Sequence, residues 1–361
     1  MSRIVSTTIT ASEAGKYLIN FLSERFTYLS RDVWKEEIIR GNILLNNNPA
    51  ISHNELRRGD TVTYRPEHFE EPPVPLGYRI IHREKNFIVI NKPPGLPCHP
   101  GGRYRSNTLW NLLLPEFPEL HFMNRLDRET SGIIVAALTK RGQQVFRKTE
   151  QLTKDYLVVV HGSFPEVLDA SGWISQDRNS KIRKKQRFSS SYPDNIPAKD
   201  SRTILTALTR NKTFTLLKAC IKTGRTHQIR ATLSCLGYPV AGDKLYGLDE
   251  GLFLRLANGS FSQDDAQSLP IGHQAIHSAH LSFPGPDNSS STGTHTRHIY
   301  AELPETFAAF VGENFSIDLS TGADIAELFR QKDNCRTFPA AMPAVTANAA
   351  SSANAAGRRT E

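Results

Sequence analysis

The sequence predicts an α+β protein built from two folded parts. Strand-like and helix-like patterns succeed one another without regular alternation, which argues against a doubly wound parallel sheet. A proline-rich stretch at residues 65–76 divides the chain. A length of 361 residues is enough for a sizeable core and two domains. The hydrophobic fraction of 39% and charged fraction of 22% are those of an ordinary soluble globular protein. No apolar run approaches the roughly 18 residues of a membrane span. The N-terminus, Met1-Ser-Arg-Ile-Val, has no charged-then-apolar leader pattern, so the expected compartment is the cytoplasm. Cys98, Cys220, Cys235 and Cys335 are scattered without paired ligand spacing and are expected to be reduced, with no disulfide framework and no metal site.

Residues 12–64 read as a small module. Ser12 to Phe26 suggests a helix with Leu18, Ile19, Phe21 and Leu22 on its inner face. Ser30 is a natural N-cap for a second helix through Val33, Trp34, Glu37 and Ile38, which Gly41 stops. A strand at Ile43–Leu45 leads into the turn Asn46-Asn47-Asn48-Pro49, and Leu56-Arg57-Arg58-Gly59-Asp60-Thr61-Val62 forms a further turn and strand. The linker 65–76 is acidic, extended and semi-rigid. The large domain, residues 77–334, opens with strands near Tyr78–His82 and Phe87–Ile90. A buried strand at Ile133–Leu138, a polar helix at Thr139–Gln151 and a strand at Tyr156–His161 follow. From residue 335 the chain has little to bury, and a disordered tail is expected over 335–361.

Charge is unevenly placed. Residues 1–76 carry a net −1 and residues 241–361 a net −6, whereas residues 77–240 hold 27 Lys/Arg against 12 Asp/Glu, a net +15. A field of that sign attracts polyanions and supplies salt-dependent phosphate binding, so nucleic acid is the expected partner. Within it, Lys181, Arg183, Lys184, Lys185 and Arg187 form a basic excursion suited to phosphates.

The most informative stretch is Asn124-Arg125-Leu126-Asp127-Arg128-Glu129-Thr130-Ser131-Gly132. A carboxylate on a tight turn beside a core strand is rigidly held, and flanking guanidiniums favour its ionised form. That suits an aspartate acting as a nucleophile. Its spacing resembles the signature loop of RluA-type pseudouridine synthases. Four further segments resemble that family's pattern in the right order: Asn91-Lys92-Pro93-Pro94-Gly95, Lys154-Asp155-Tyr156, Gly224-Arg225-Thr226-His227-Gln228-Ile229-Arg230, and Gly242-Asp243-Lys244-Leu245-Tyr246-Gly247 with the later Gln274–Pro284. Residues 12–64, two helices and then Arg58-Gly59-Asp60 before a strand, resemble the S4 RNA-binding module, although their charge is close to neutral.

The resemblance implies a pseudouridine synthase core around a central mixed, mainly antiparallel sheet, with an S4-like module before it. It implies isomerisation of uridine to pseudouridine in ribosomal or transfer RNA, with ribosomal RNA favoured, and no cofactor. In the family pattern Asp127 is the catalytic aspartate, Tyr156 lies over the target base, and Arg225 pairs with Asp127. Arg125 would fill the space left by the extruded uridine, and Arg128 and Arg230 would join it in holding RNA. Thr226 is the expected N-cap of the helix that carries Ile229 and Leu233 and that Gly237 ends. The Asn91–Gly95, Gly242–Gly247 and Gln274–Pro284 segments read as architecture, and His227 as a structural hydrogen-bonding residue. Asn124 stands where the family usually has histidine and His273 where it usually has arginine, which bears on the choice of RNA. The residues leave open whether Asp127 attacks C1′, attacks the base or assists a glycal route. The rival reading is a non-catalytic RNA-binding protein of the same fold.

Overall fold

The computed structural model describes residues 4–26, 29–66, 71–148, 152–286 and 294–334; the tail expected over 335–361 lies outside them. Its N-terminal unit comprises β1 (Val5–Thr8), α1 (Leu18–Arg25), α2 (Arg31–Ile39), β2 (Ile43–Leu45), β3 (Asn48–Pro49) and β4 (Thr61–Tyr64). The sheet runs β1-β4-β2-β3, antiparallel throughout. Leu18, Ile19, Phe21 and Leu22 pack with Trp34, Ile38 and Ile43 in a core of their own. Ser30 caps α2 by accepting from the Val33 amide at 3.3 Å. Two expectations need correction. The unit begins at Val5, because β1 pairs with β4, and α1 begins at Leu18 instead of Ser12. The reason is local: the Thr10 amide and hydroxyl both donate to the Glu13 carboxylate, at 3.0 and 2.6 Å, and hold that stretch in turns.

The second part contains β5 (Arg79–Arg83), β6 (Phe87–Lys92), α3 (Leu109–Leu113), β7 (His121–Phe122), β8 (Ser131–Ala137), α4 (Lys140–Lys148), β9 (Thr153–His161), β10 (Val167–Gln176), β11 (Gln186–Ser189), β12 (Ala198–Arg210), β13 (Phe214–Ile221) and α5 (Gln228–Cys235). It continues with α6 (Gly251–Asn258), α7 (Gln263–Gln267), β14 (Ile276–Pro286), β15 (Thr294–Tyr300), α8 (Glu305–Phe315) and α9 (Gly322–Asn334). One sheet runs β11-β10-β12-β13-β9-β14-β8-β6-β5, with β15 on β14 and β7 on β8. Every pairing is antiparallel except β14 with β8. This is the mixed, mainly antiparallel α+β architecture that was expected.

Strands β6 and β8 read as unbroken apolar runs because both of their faces are covered. Ile88, Ile90, Ile134 and Ala136 pack on Leu109 and Leu113 of α3, while Val89, Ile133 and Val135 pack with Phe146 of α4. Where β8 begins, Gly132 stands at φ +103, and a Cβ there would lie 2.3 Å from the Ser278 carbonyl oxygen of β14. Only glycine lets the parallel pair approach so closely. Gly132→Ala is expected to cost about 3 kcal/mol, from a strained φ combined with a backbone clash. A urea midpoint close to that of the wild type would contradict this.

Candidate active site

The loop that carries Asp127 joins β7 to β8 and is pinned from three sides. Asn124 donates to the Ile133 carbonyl at 3.0 Å and accepts from the Val135 amide at 2.8 Å, which ties the start of the loop to β8. The wholly buried Lys92 donates to the carbonyls of Pro93 and Leu96, both at 2.8 Å, and of Arg128 at 3.0 Å. Burial pulls this ammonium down to about 8, and three carbonyls replace its water. Beneath β8, His277 Nε2–H donates to the Ala301 carbonyl at 3.0 Å, so its Nδ1 accepts the Ser131 hydroxyl at 2.9 Å. Lys92 and His277 thus tie the Asn91–Gly95 and Gln274–Pro284 segments to the loop and to β8.

The carboxylate of Asp127 meets an arginine, but not the one the resemblance implied. Arg230, in the first turn of α5, donates from Nη1 to Asp127 Oδ2 at 2.6 Å. Its Nε and Nη2 grip Asp243 Oδ2 and Oδ1 at 2.6 and 2.9 Å, and Tyr246 lies 4.8 Å beneath the guanidinium. Asp243 also accepts the Leu245 and Tyr246 amides at 2.9 Å. Burial works against ionisation of Asp127, yet the Arg230 charge outweighs it and holds the carboxyl below the usual aspartate range. Asp243 is held low by the same opposition.

Arg225 instead donates from Nε to the Asp200 carbonyl at 2.8 Å and forms an ion pair with the Asp200 carboxylate. The cause lies in the turn before α5. Buried Gln228 accepts from the Arg225 amide at 3.0 Å and the Thr223 hydroxyl at 2.8 Å, and donates to the Arg202 carbonyl on β12 at 3.1 Å. His227 takes the left-handed conformation, φ 55°, so the helix starts at Gln228 and its N-cap is His227, not Thr226. Arg225 therefore lies before the reversal, against β12, and Arg230 lies after it, facing Asp127.

A cavity of about 450 Å³ brings together Asp127, Tyr156, Arg225, Arg230, His227 and Arg125. The Tyr156 side chain on β9 is buried. Burial, opposed by a Ser278 hydrogen bond and reinforced by the Asp127 charge, pushes its phenol up to about 12. At neutral pH it is a phenol that can donate or stack, not a phenolate base. His227 bonds to the Tyr246 hydroxyl through Nδ1 at 2.9 Å, and its Nε2 stands 3.8 Å from Asp127 Oδ1. Burial pulls this imidazole down to about 4, so it is neutral. Arg125 is exposed and makes no ion pair among the described residues.

The other basic residues divide. Lys181, Arg183, Lys184 and Arg187 are exposed, with Lys184 seated 4.1 Å over the Phe253 ring. Lys185 is committed to Glu250, and its ammonium lies 5.8 Å from the Tyr246 ring, so it leaves the expected phosphate strip. Arg128 donates to the Tyr104 hydroxyl at 2.7 Å and to Glu129 at 3.0 Å. Arg230, expected on RNA, is occupied by two carboxylates. Asp243 and Tyr246 escaped the sequence reading, because Gly242–Gly247 has the composition of a turn. Their one signal was membership of a matched segment. If Asp200 holds Arg225 at the mouth for RNA, Asp200→Ala should raise KM about five-fold with kcat within about two-fold, the scale of one exposed charge-assisted bond. A fall in kcat alone would contradict this.

A sheet-borne cleft with a paired carboxylate, a buried phenol and a basic surround defines an enzyme that works on a polyanion. The RNA pseudouridylate synthase family matches residues 86–235. The chain is 32% identical over 288 residues to the Ribosomal large subunit pseudouridine synthase D of Xanthomonas campestris pv. campestris, covering 75% of this chain and 82% of that protein. It is 31% identical over 239 residues to an uncharacterized RNA pseudouridine synthase of Synechocystis, covering 64% of this chain and 79% of that one. It is 30% identical over 241 residues to the mitochondrial tRNA pseudouridine(32) synthase of Saccharomyces cerevisiae, spanning 65% of this chain but only 51% of that protein. The chain belongs to the RluA-type RNA pseudouridine synthases, and it is an isomerase acting on uridine in RNA. Among the described residues no helix is long and apolar enough to cross a membrane.

Proposed function

We propose that Asp127 is the catalytic aspartate, aimed and kept ionised by Arg230, with Tyr156 packed against the target uracil. The observation that carries this is the 2.6 Å Arg230–Asp127 contact at a cavity that Tyr156 also lines. In the reaction the C1′–N1 bond breaks, the base rotates and a C1′–C5 bond forms. The proton on C5 is lost and N1 gains one, so no redox or group-transfer partner enters the balance. A carboxylate beside a neutral phenol and a neutral imidazole fits that sequence, because charge develops only at the sugar and the base. A stacked uridine must first be extruded, at a cost of a few kcal/mol. The exposed Arg125 at the cavity wall is the residue we assign to the vacated space.

Ribosomal RNA is the substrate we favour. The chain covers 82% of a relative named for the large ribosomal subunit and half of one named for transfer RNA. Residues 5–64 are read as an S4-like RNA-contacting module, 65–76 as its linker and 77–334 as the catalytic domain. For the compartment we propose the cytoplasm, on the scattered cysteine spacing of the sequence.

The test is tritium release from RNA labelled at uridine C5, run on separate ribosomal and transfer RNA pools. Release from the ribosomal pool alone supports the full reading, and release from the transfer pool alone overturns the substrate. Release from neither pool, with RNA binding intact, returns the protein to a non-catalytic binder.

A further inference from the structure

A second chamber of about 870 Å³ adjoins the catalytic cavity, and Asp127, His227 and Arg230 line both. No step of the isomerisation uses it. Helix α6 contributes Phe253, Leu256 and Ala257 to its wall, and the tight turn closed by the Gly101–Tyr104 bridge contributes Tyr104. Each aromatic ring carries a cation: Lys184 Nζ is 4.1 Å from the Phe253 centroid and the Arg128 guanidinium 5.6 Å from that of Tyr104. Arg128 is oriented by the Tyr104 hydroxyl at 2.7 Å and by Glu129, which also accepts from Lys244 at 3.0 Å. The chamber thus sets the apolar side chains of Phe253, Leu256 and Ala257 beside the cations of Lys184 and of Arg128, the latter also paired with Glu129. Those are the two features that a nucleotide in a single-stranded segment requires, a stacking platform and a phosphate anchor. Its volume lies within the range of small-molecule sites. Because its wall includes Asp127, whatever it holds lies beside the nucleotide being isomerised.

We propose that this chamber is a subsite for the nucleotide next to the target uridine, its base on Phe253 and its phosphate on Lys184 and Arg128. The assignment rests on the reading of Asp127 as the reaction centre. It makes α6 and the 101–104 turn the elements that sense the RNA beside the target.

The test uses fluorescein-labelled decauridylate and an abasic ribose-phosphate chain of equal length and charge. Phe253→Leu, which keeps an apolar side chain but removes the ring, should weaken decauridylate binding about ten-fold, the scale of one base–aromatic stack. Its affinity for the abasic chain should not change. Lys184→Gln should weaken both chains alike and reduce the salt dependence by about one phosphate contact. Equal effects of Phe253→Leu on the two chains, or none on either, would overturn the base site. An unchanged salt slope in Lys184→Gln would overturn the phosphate site. Binding of these chains involves no chemistry, so failure here is distinct from failure of Asp127, which tritium release decides.

Discussion

Asp127→Asn is expected to lower tritium release from C5-labelled RNA by at least about 10⁴-fold, the scale lost when a catalytic nucleophile is removed. Asparagine has nearly the same shape and can still accept a hydrogen bond from Arg230 through its amide oxygen, so the loop should keep its geometry. Lys92 and Asn124 hold that loop through the Arg128 carbonyl and the β8 backbone, and neither contact involves the Asp127 carboxylate. Arg230 keeps its two bonds to Asp243 in this variant, so thermal stability should fall by less than when Arg230 itself is removed, and RNA affinity should stay within about three-fold, since one charge among many contributes modestly. The comparison that decides is single-turnover release against equilibrium RNA binding. A variant that binds normally and does not release tritium assigns the chemistry to the carboxylate. A variant that releases tritium at even a hundredth of the wild-type rate would take the nucleophile's role from Asp127.

Much of this site was legible before any coordinates. The turn at Asp127, the strand at Tyr156 and the helix after residue 223 follow from the composition of short segments, whereas the joining of Asp127 and Tyr156 in one site was implied only by the family resemblance. The α+β class followed from the irregular succession of elements. The pairing partner of Asp127 was not legible, and the physical reason is specific. Two arginines five residues apart straddle a backbone reversal, and only the left-handed conformation of His227 decides which of them faces the loop. A single non-glycine residue at positive φ leaves no mark in a hydrophobic pattern. Asp243 was hidden for a different reason: its function is a long-range contact with Arg230, whereas its local sequence describes a turn. The N-terminal boundary moved because β1 belongs to its unit through pairing with β4, more than fifty residues away. Local signals fix elements, and contacts distant in sequence fix partners.

Removal of Arg230 should therefore be costly in two separable ways. In Arg230→Ala, Asp127 and the wholly buried Asp243 lose the cation between them. Breaking a buried pair by deleting one partner typically costs 3–5 kcal/mol, and we expect a loss of about 4 kcal/mol at pH 7 by urea denaturation. Its pH dependence has a defined sign. Both carboxyls are held below the usual aspartate range in the folded protein, so their pairing stabilises fully above the unfolded value of about 4. That stabilisation fades as pH falls through the lowered folded values. The gap between wild type and Arg230→Ala should accordingly narrow in acid, and a gap of constant size from pH 7 to about pH 3 would show that packing, not charge, is what Arg230 supplies. Arg230→Lys separates the catalytic part. Lysine restores a positive charge but cannot bridge two carboxylates with a planar fork, so stability should return in part while Asp127 remains badly aimed. For that variant we expect kcat to fall about 10²-fold, as misplaced catalytic groups do. The acid limb of its pH–rate profile should move upward, because the Asp127 proton is then less easily lost. Wild-type kcat and an unmoved acid limb in Arg230→Lys would show that Asp127 needs only a nearby charge.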